Sequence, residues 1–209
     1  MKRSKFIVLL LPFLLTGCVG QKKNIPDSAY YYISTTKDLR DLGRVVMLEL
    51  ANNTAYPKVS ADITDALYGA IQKRQVFGVS VIHRDDPSWQ NLQLDKFEGY
   101  SIDQLSTMHK SLKADAVLRG TVTRYEPFPH LVIGLRLELI DLSDGKLLWA
   151  LEQIWDAADK TTQNRVRDYY KTSLLPGTDS LEVGLGTVSS LRFIDFVTYE
   201  TAKTIKPQR

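Results

Sequence analysis

The chain of 209 residues contains a single cysteine, Cys18, so no disulfide can form within it. Its three histidines, His83, His109 and His130, have no neighbouring cysteine or paired carboxylate at ligand spacing. A zinc-type site needs three or four such groups converging, so neither a metal nor any other cofactor is expected. Gly-x-Ser-x-Gly, P-loop and His-Glu-x-x-His motifs are also missing. Gly184-Leu185-Gly186 lacks a third glycine and a preceding βα turn, and Asp85-Asp86 beside Pro87 reads as a solvated turn rather than an acid/base pair. No catalytic residue is assigned, and the expectation is that the chain is not an enzyme. There is no internal repeat, no low-complexity tract, and no apolar run approaching the roughly 20 residues of a membrane-spanning helix.

What is present begins at the N-terminus. Lys2, Arg3 and Lys5 precede an apolar run from Phe6 to Leu15 that contains Pro12, the pattern of an export signal. Leu15-Thr16-Gly17-Cys18 resembles the lipobox of bacterial lipoproteins. That resemblance implies cleavage before Cys18, palmitate-type acylation of the same residue, and a cell-membrane anchor. It also accounts for a lone cysteine in an exported chain, where a free thiol would be unusual. Each buried methylene contributes about 0.8 kcal/mol, so two or three acyl chains would hold such a protein on a membrane. Val19 at the following position implies, by the family's sorting pattern, the outer membrane with the protein facing the periplasm.

Processing also removes the apparent basicity. Residues 1–17 carry three cations and no anions from a total of 27 basic and 24 acidic residues, which leaves 24 of each. No basic excess remains to neutralise phosphates, so a nucleic-acid partner is not expected. The domain plan is a signal peptide at 1–17, a lipidated polar tether at 18–29, and one α/β domain at 30–209.

Within that domain the strongest pattern lies between Ala114 and Trp155. Leu131, Ile133, Leu135, Leu137 and Leu139 alternate with Gly134, Arg136 and Glu138, the period-two rhythm of a half-buried strand. A second strand carries Leu147, Trp149 and Leu151. A two-residue Asp144-Gly145 turn would place Leu137 opposite Glu152, whereas a three-residue Ser143–Gly145 loop pairs Leu139 with Trp149, Leu137 with Leu151 and Arg136 with Glu152. Only the second keeps both faces consistent, with Gly145 at positive φ.

Upstream, Val45–Leu50 reads as a strand. Val59, Ile63, Ala66, Leu67, Ala70 and Ile71 mark a helix with Ser60 at its N-cap, and Phe77–Ile82 a further strand. A second helix opens at Ser101 with Gln104 at capping-box spacing and buries Ile102, Leu105, Met108 and Leu112. Both helices are expected on one face of the sheet. Val166, Tyr169, Tyr170 and Leu174 mark a third helix, and Leu191, Ile194, Val197, Ala202 and Ile205 a last one starting near Ser189 or Ser190. The fold expected is therefore a mixed sheet of about five strands in the order β-α-β-α-β-β-β with C-terminal helices.

This order, with the wording VVMLELANNT, ITDALYGAIQKRQVFGV, LKADAVLRGTVTRY and LRLELIDLSDGKLLWALE, resembles envelope lipoproteins built on the TolB N-terminal-like domain. That group includes CsgG-like secretion proteins, LpoB-like activators of peptidoglycan synthases and PelC-like exopolysaccharide-export lipoproteins. The resemblance covers Val45 to Asp156. It implies a non-catalytic scaffold or accessory subunit of an export or assembly machine, with a regulator docking on a peptidoglycan synthase second and a hydrolase third. It also implies an envelope protein partner and self-association, including a homo-oligomer ring. The chain departs from the CsgG pattern because the connections at Arg124–His130 and Ser143–Gly145 have no length for membrane hairpins of about 9 to 11 residues per strand.

Two aromatic groups are candidates for contact. Trp89, Phe97 and Tyr100 lie in the long His83–Tyr100 connection among Asp86, Asp95, Lys96 and Glu98, and form either a contact patch or a cover folded over the sheet edge. Tyr30, Tyr31 and Tyr32 form either a partner-binding arm or an extra strand or loop over the core.

Overall fold

A computed structural model describes residues 30–94, 100–173 and 186–207. Cys18, the tether, Phe97 and Leu174 lie outside these residues. Seven strands form one mixed sheet in the order β1-β7-β6-β5-β2-β4, with β3 paired to β5 off that path. The strands are β1 (Tyr30–Ile33), β2 (Arg44–Leu48), β3 (Ala51–Asn52), β4 (Gly78–Ile82), β5 (Ala116–Glu126), β6 (Val132–Asp141) and β7 (Leu147–Asp156). The helices are α1 (Val59–Arg74), α2 (Pro87–Asn91), α3 (Ile102–Leu112), α4 (Lys160–Ser173) and α5 (Ser190–Thr204). The fold is thus the expected mixed α/β class with C-terminal helices. Two strands exceed the expected five: β1, made by the tyrosine run, and the two-residue β3.

The register between β6 and β7 matches the facing-residue argument, with Leu139 opposite Trp149, Leu137 opposite Leu151 and Arg136 opposite Glu152. The connection itself is longer than three residues. Ile140 pairs with Leu147, so the ladder shifts by one at Leu148, and residues 142–146 lie outside both strands. The Gly145 amide donates to the Asp141 carbonyl at 2.9 Å, and Gly145 sits at φ 73°. The bulge lets Leu148 and Trp149, adjacent in sequence, both be buried.

The central strand β2 explains the layering. Val45 and Met47 belong to one buried cluster with Ala116, Leu118, Leu137 and the α1 residues Ile63 and Leu67. Val46 and Leu48 belong to a second cluster with Val117, Ile82, Leu105 and Met108. A strand apolar on both faces needs cover on both, since each fully buried aliphatic side chain stabilises by roughly 1.5–3 kcal/mol. Accordingly α1 and α3 lie on opposite faces, which corrects the expectation of one shared face. On the first face α1 is joined by α5, whose Phe193, Phe196 and Val197 are buried in the same cluster, and by α4 through Val166 and Tyr170.

Three local expectations also change. Ser60 lies inside α1, whose N-cap position is Lys58 with no side-chain cap, and the Ser60 carbonyl accepts the Thr64 hydroxyl at 2.6 Å. The Ser101–Gln104 capping box forms in both directions, but it turns the first residue of α3 outward and leaves Ile102 78% exposed. Leu191, in the first turn of α5, is likewise 70% exposed.

Candidate interaction surface

Among the described residues, the second face of the sheet is covered only in part. The α2 and α3 side packs over β2, β4 and the start of β5, while the outer positions of β5, β6, β7 and β1 carry polar and aromatic side chains. Strand pairing arranges them in rows. Arg119 stands opposite Glu138, Glu138 opposite Ala150, and Ala150 opposite Tyr32. In the next row Thr121 stands opposite Arg136, Arg136 opposite Glu152, and Glu152 opposite Tyr30. Tyr30 is 85% exposed, Tyr32 51% and Ile154 52%. The strands' inner positions, such as Leu135, Leu137, Trp149 and Leu151, are buried on the other side, so the sheet alternation itself places these groups outward.

Two of these charge pairs run across strands and one lies within β5. The Arg119 guanidinium donates to Glu138 from Nε at 2.9 Å and from Nη2 at 2.8 Å. Arg136 donates to Glu152 at 2.7 Å, and Arg124 to Glu126 at 2.7 Å. The Arg136 hydrogen bond holds the Glu152 carboxyl below its ordinary range, and the Arg124 bond does the same for Glu126. Exposed pairs of this kind add little stability in high dielectric. What they set is a pattern, a neutral field of alternating sign bounded by tyrosines.

The residues singled out in the sequence take different places. Trp89 is 2% exposed and packs in the second cluster with Leu94, Leu105 and Met108, beneath the Arg84 guanidinium at 5.0 Å. It is core, because α2, capped by the Asp86 carboxylate on the Ser88 amide, turns it inward. Tyr100 is half-buried, with Arg119 over its ring at 5.3 Å, and so borders the charged rows. Phe97 lies outside the described residues, while Trp89 and Tyr100 both belong to the second cluster, Trp89 within it and Tyr100 packed against it. Of the tyrosine run, Tyr31 faces the core and Tyr30 and Tyr32 face solvent.

The three histidines lie apart, each against its own partners. His83 lies 3.4 Å from Glu49 and 3.3 Å from Asp65, His109 meets the Ala114 carbonyl at 2.6 Å, and His130 is 3.4 Å from Asp156. No cluster of three metal-ligating side chains occurs among the described residues. A groove of about 520 Å³ between α1 and α5 is lined by Ala66, Gly69, Ala70 and Ala202, with Tyr169, Tyr199 and charges of both signs.

A signal for the outward rows existed in the sequence. Arg136, Glu138 and Glu152 occupy the solvent phase of the two best-patterned strands. What the pattern could not say was whether a helix would cover them.

The chain matches no protein-family model and no curated protein. Among solved structures it is similar to the PelC dodecamer from Paraburkholderia phytofirmans, with 19% identity, 62% of this chain and 80% of that chain covered, and a TM-score of 0.43. It is similar to lipoprotein GNA1162 from Neisseria meningitidis, with 12% identity, 66% and 99% covered, and a TM-score of 0.43. It is also similar to the LpoB C-terminal domain from Escherichia coli, with 17% identity, 54% and 82% covered, and a TM-score of 0.36.

Proposed function

We propose that this chain is a non-catalytic accessory lipoprotein of the bacterial envelope. In this reading it is anchored through lipid on Cys18 in the outer membrane, faces the periplasm, and serves as a scaffold subunit of a machine that exports or assembles a polymer. The observation that supports a binding role is the half of the sheet that no described helix covers, where two rows of side chains end in Tyr32 and Tyr30 while the opposite face is packed by α1, α4 and α5. A sheet face of that width, with aromatics beside paired charges, suits contact with another protein. The anchor rests on the Leu15–Cys18 wording and the basic-apolar leader before it.

The test is labelling of growing cells with radioactive palmitate, with and without globomycin, followed by recovery of the tagged chain from mild detergent. Lipid on the wild type, none on Cys18→Ala, and co-purification with components of a secretion or polymer-export assembly are expected. A chain without lipid, or a Cys18→Ala variant that still fractionates with membrane, overturns the anchor. A monomer recovered with a peptidoglycan synthase would assign a regulator instead.

A further inference from the structure

The outward positions of β6 and β1 are self-complementary about one axis. Along β6, Glu138 and Arg136 are adjacent on the same face, and along β1 the neighbours are Tyr32 and Tyr30. A two-fold axis lying across the strands, between the Glu138 row and the Arg136 row, exchanges these positions. It brings Glu138 of one copy over Arg136 of the other, and Arg136 over Glu138, while Tyr32 meets Tyr30 and Tyr30 meets Tyr32. Ala150, the small residue between the charged pairs and Tyr32, leaves room for the close approach of two sheets, which pack about 10 Å apart. No like charges are opposed at the centre. The pairs Arg119–Glu138 and Arg136–Glu152 already made within each chain stay intact.

From this geometry we infer that the open sheet face binds a second copy of the same chain, face to face, about that two-fold axis. Such an interface is isologous, each contact occurring twice, so its effect on binding doubles with every favourable or unfavourable pair. The net neutrality of the rows argues against a strongly charged polymer as occupant, which would need charge of one sign. This inference rests on the reading of the face as a protein-binding surface, and names what it binds.

The experiment is a charge exchange in the full chain, carried on two differently tagged copies that are co-expressed and recovered in mild detergent. Arg136→Glu alone opposes carboxylates at both central contacts, and Glu138→Arg alone opposes guanidinium groups. Each should weaken recovery of one tag by the other roughly tenfold or more, since like charges set face to face are costly. A copy carrying Arg136→Glu mixed with a copy carrying Glu138→Arg restores opposite signs at both contacts and should restore pairing. An independent readout avoids any misfolding of Glu138→Arg beside Arg119. Cysteines placed at the exposed positions by Tyr30→Cys on one copy and Tyr32→Cys on the other should cross-link between copies faster than either variant with itself. Wild-type copies that do not pair, single variants that pair like wild type, or a mixture that is not restored while the cysteine cross-link is also unselective, each overturn the inference and leave the face to another envelope protein or to lipid. Palmitate labelling is unaffected by any of these results, so failure here is separable from failure of the proposed anchor.

Discussion

Asp141 ends β6 and is 3% exposed, yet it is ionised and fully engaged. Its carboxylate accepts from the Lys37 ammonium at 2.7 Å, the Ser143 amide at 2.8 Å and the Ser143 hydroxyl at 2.6 Å. Burial alone would push its pKa up, but the Lys37 and Ser143 donors together outweigh burial and hold it below the ordinary carboxylate value. A carboxyl whose folded pKa is lowered contributes stability above its unfolded pKa and loses it as pH falls through the folded value. Asp141→Asn should therefore cost about 1–3 kcal/mol at neutral pH. The gap in melting temperature between wild type and variant should stay constant above about pH 5 and close progressively below about pH 4. Melts by circular dichroism across pH 3–7 check it, and a gap that widens in acid would contradict this account. The position was hard to single out from the sequence, because Asp-Leu-Ser-Asp-Gly reads simply as a turn. Its partner Lys37 lies 104 residues away.

Among the elements, α5 meets the sheet through a polar contact set within an apolar layer. The Trp149 indole Nε1–H donates to the Thr204 hydroxyl at 3.1 Å, and that hydroxyl donates in turn to the Thr201 carbonyl at 2.7 Å. Thr204→Val keeps the shape and strands the buried indole donor, so it should lower stability by about 1–3 kcal/mol in chemical denaturation, with Thr204→Ser losing less. Equal losses would show that packing of the methyl group, not the hydrogen bond, is what counts. The β6–β7 pairing was legible from sequence because one strand face is uniformly aliphatic and a slip by one residue would have buried Glu152. The one-residue bulge at Leu148 was not, because Leu147 and Leu148 are the same residue type and either fits the core phase. Nor was the side chosen by α3 legible. Val45-Val46-Met47-Leu48 is apolar at every position, so the run carries no face label, and the helices divide between its faces only because both must be covered. Trp89 stayed open between surface and core for a related reason: a five-residue helix capped by Asp86 is too short to show a period, and its charged neighbours suit either place.

At the scale of the whole molecule, protection should follow the sheet from centre to edges. β2 lies between β4 and β5 and is buried on both faces, whereas β1 is an edge strand of four residues with two rings in solvent. Amide hydrogen exchange should be slowest at Val45–Leu48 and faster by orders of magnitude at Tyr30–Ile33, because edge elements open locally without global unfolding. Uniform exchange across both strands would mean that the sheet opens only as a unit. The outward rows are a property of this scale too, since they are complete only when β1, more than eighty residues upstream, is set beside the consecutive strands β5, β6 and β7. β1 has one further consequence, a mechanical one. A load applied at residue 30 across the plane of the sheet would meet an edge strand lying antiparallel on β7 and pull it from that end, so that the Tyr30, Tyr31, Tyr32 and Ile33 pairings would part in succession rather than together. Four residues at about 3.3 Å each would pay out roughly 13 Å of slack. Only then does the pull reach the Ser34 amide on the Leu148 carbonyl and the Lys37–Asp141 ion pair. Under such a load the first strand would act as an extensible leash, yielding under tension and re-zipping when it falls, before the doubly covered centre of the sheet is reached.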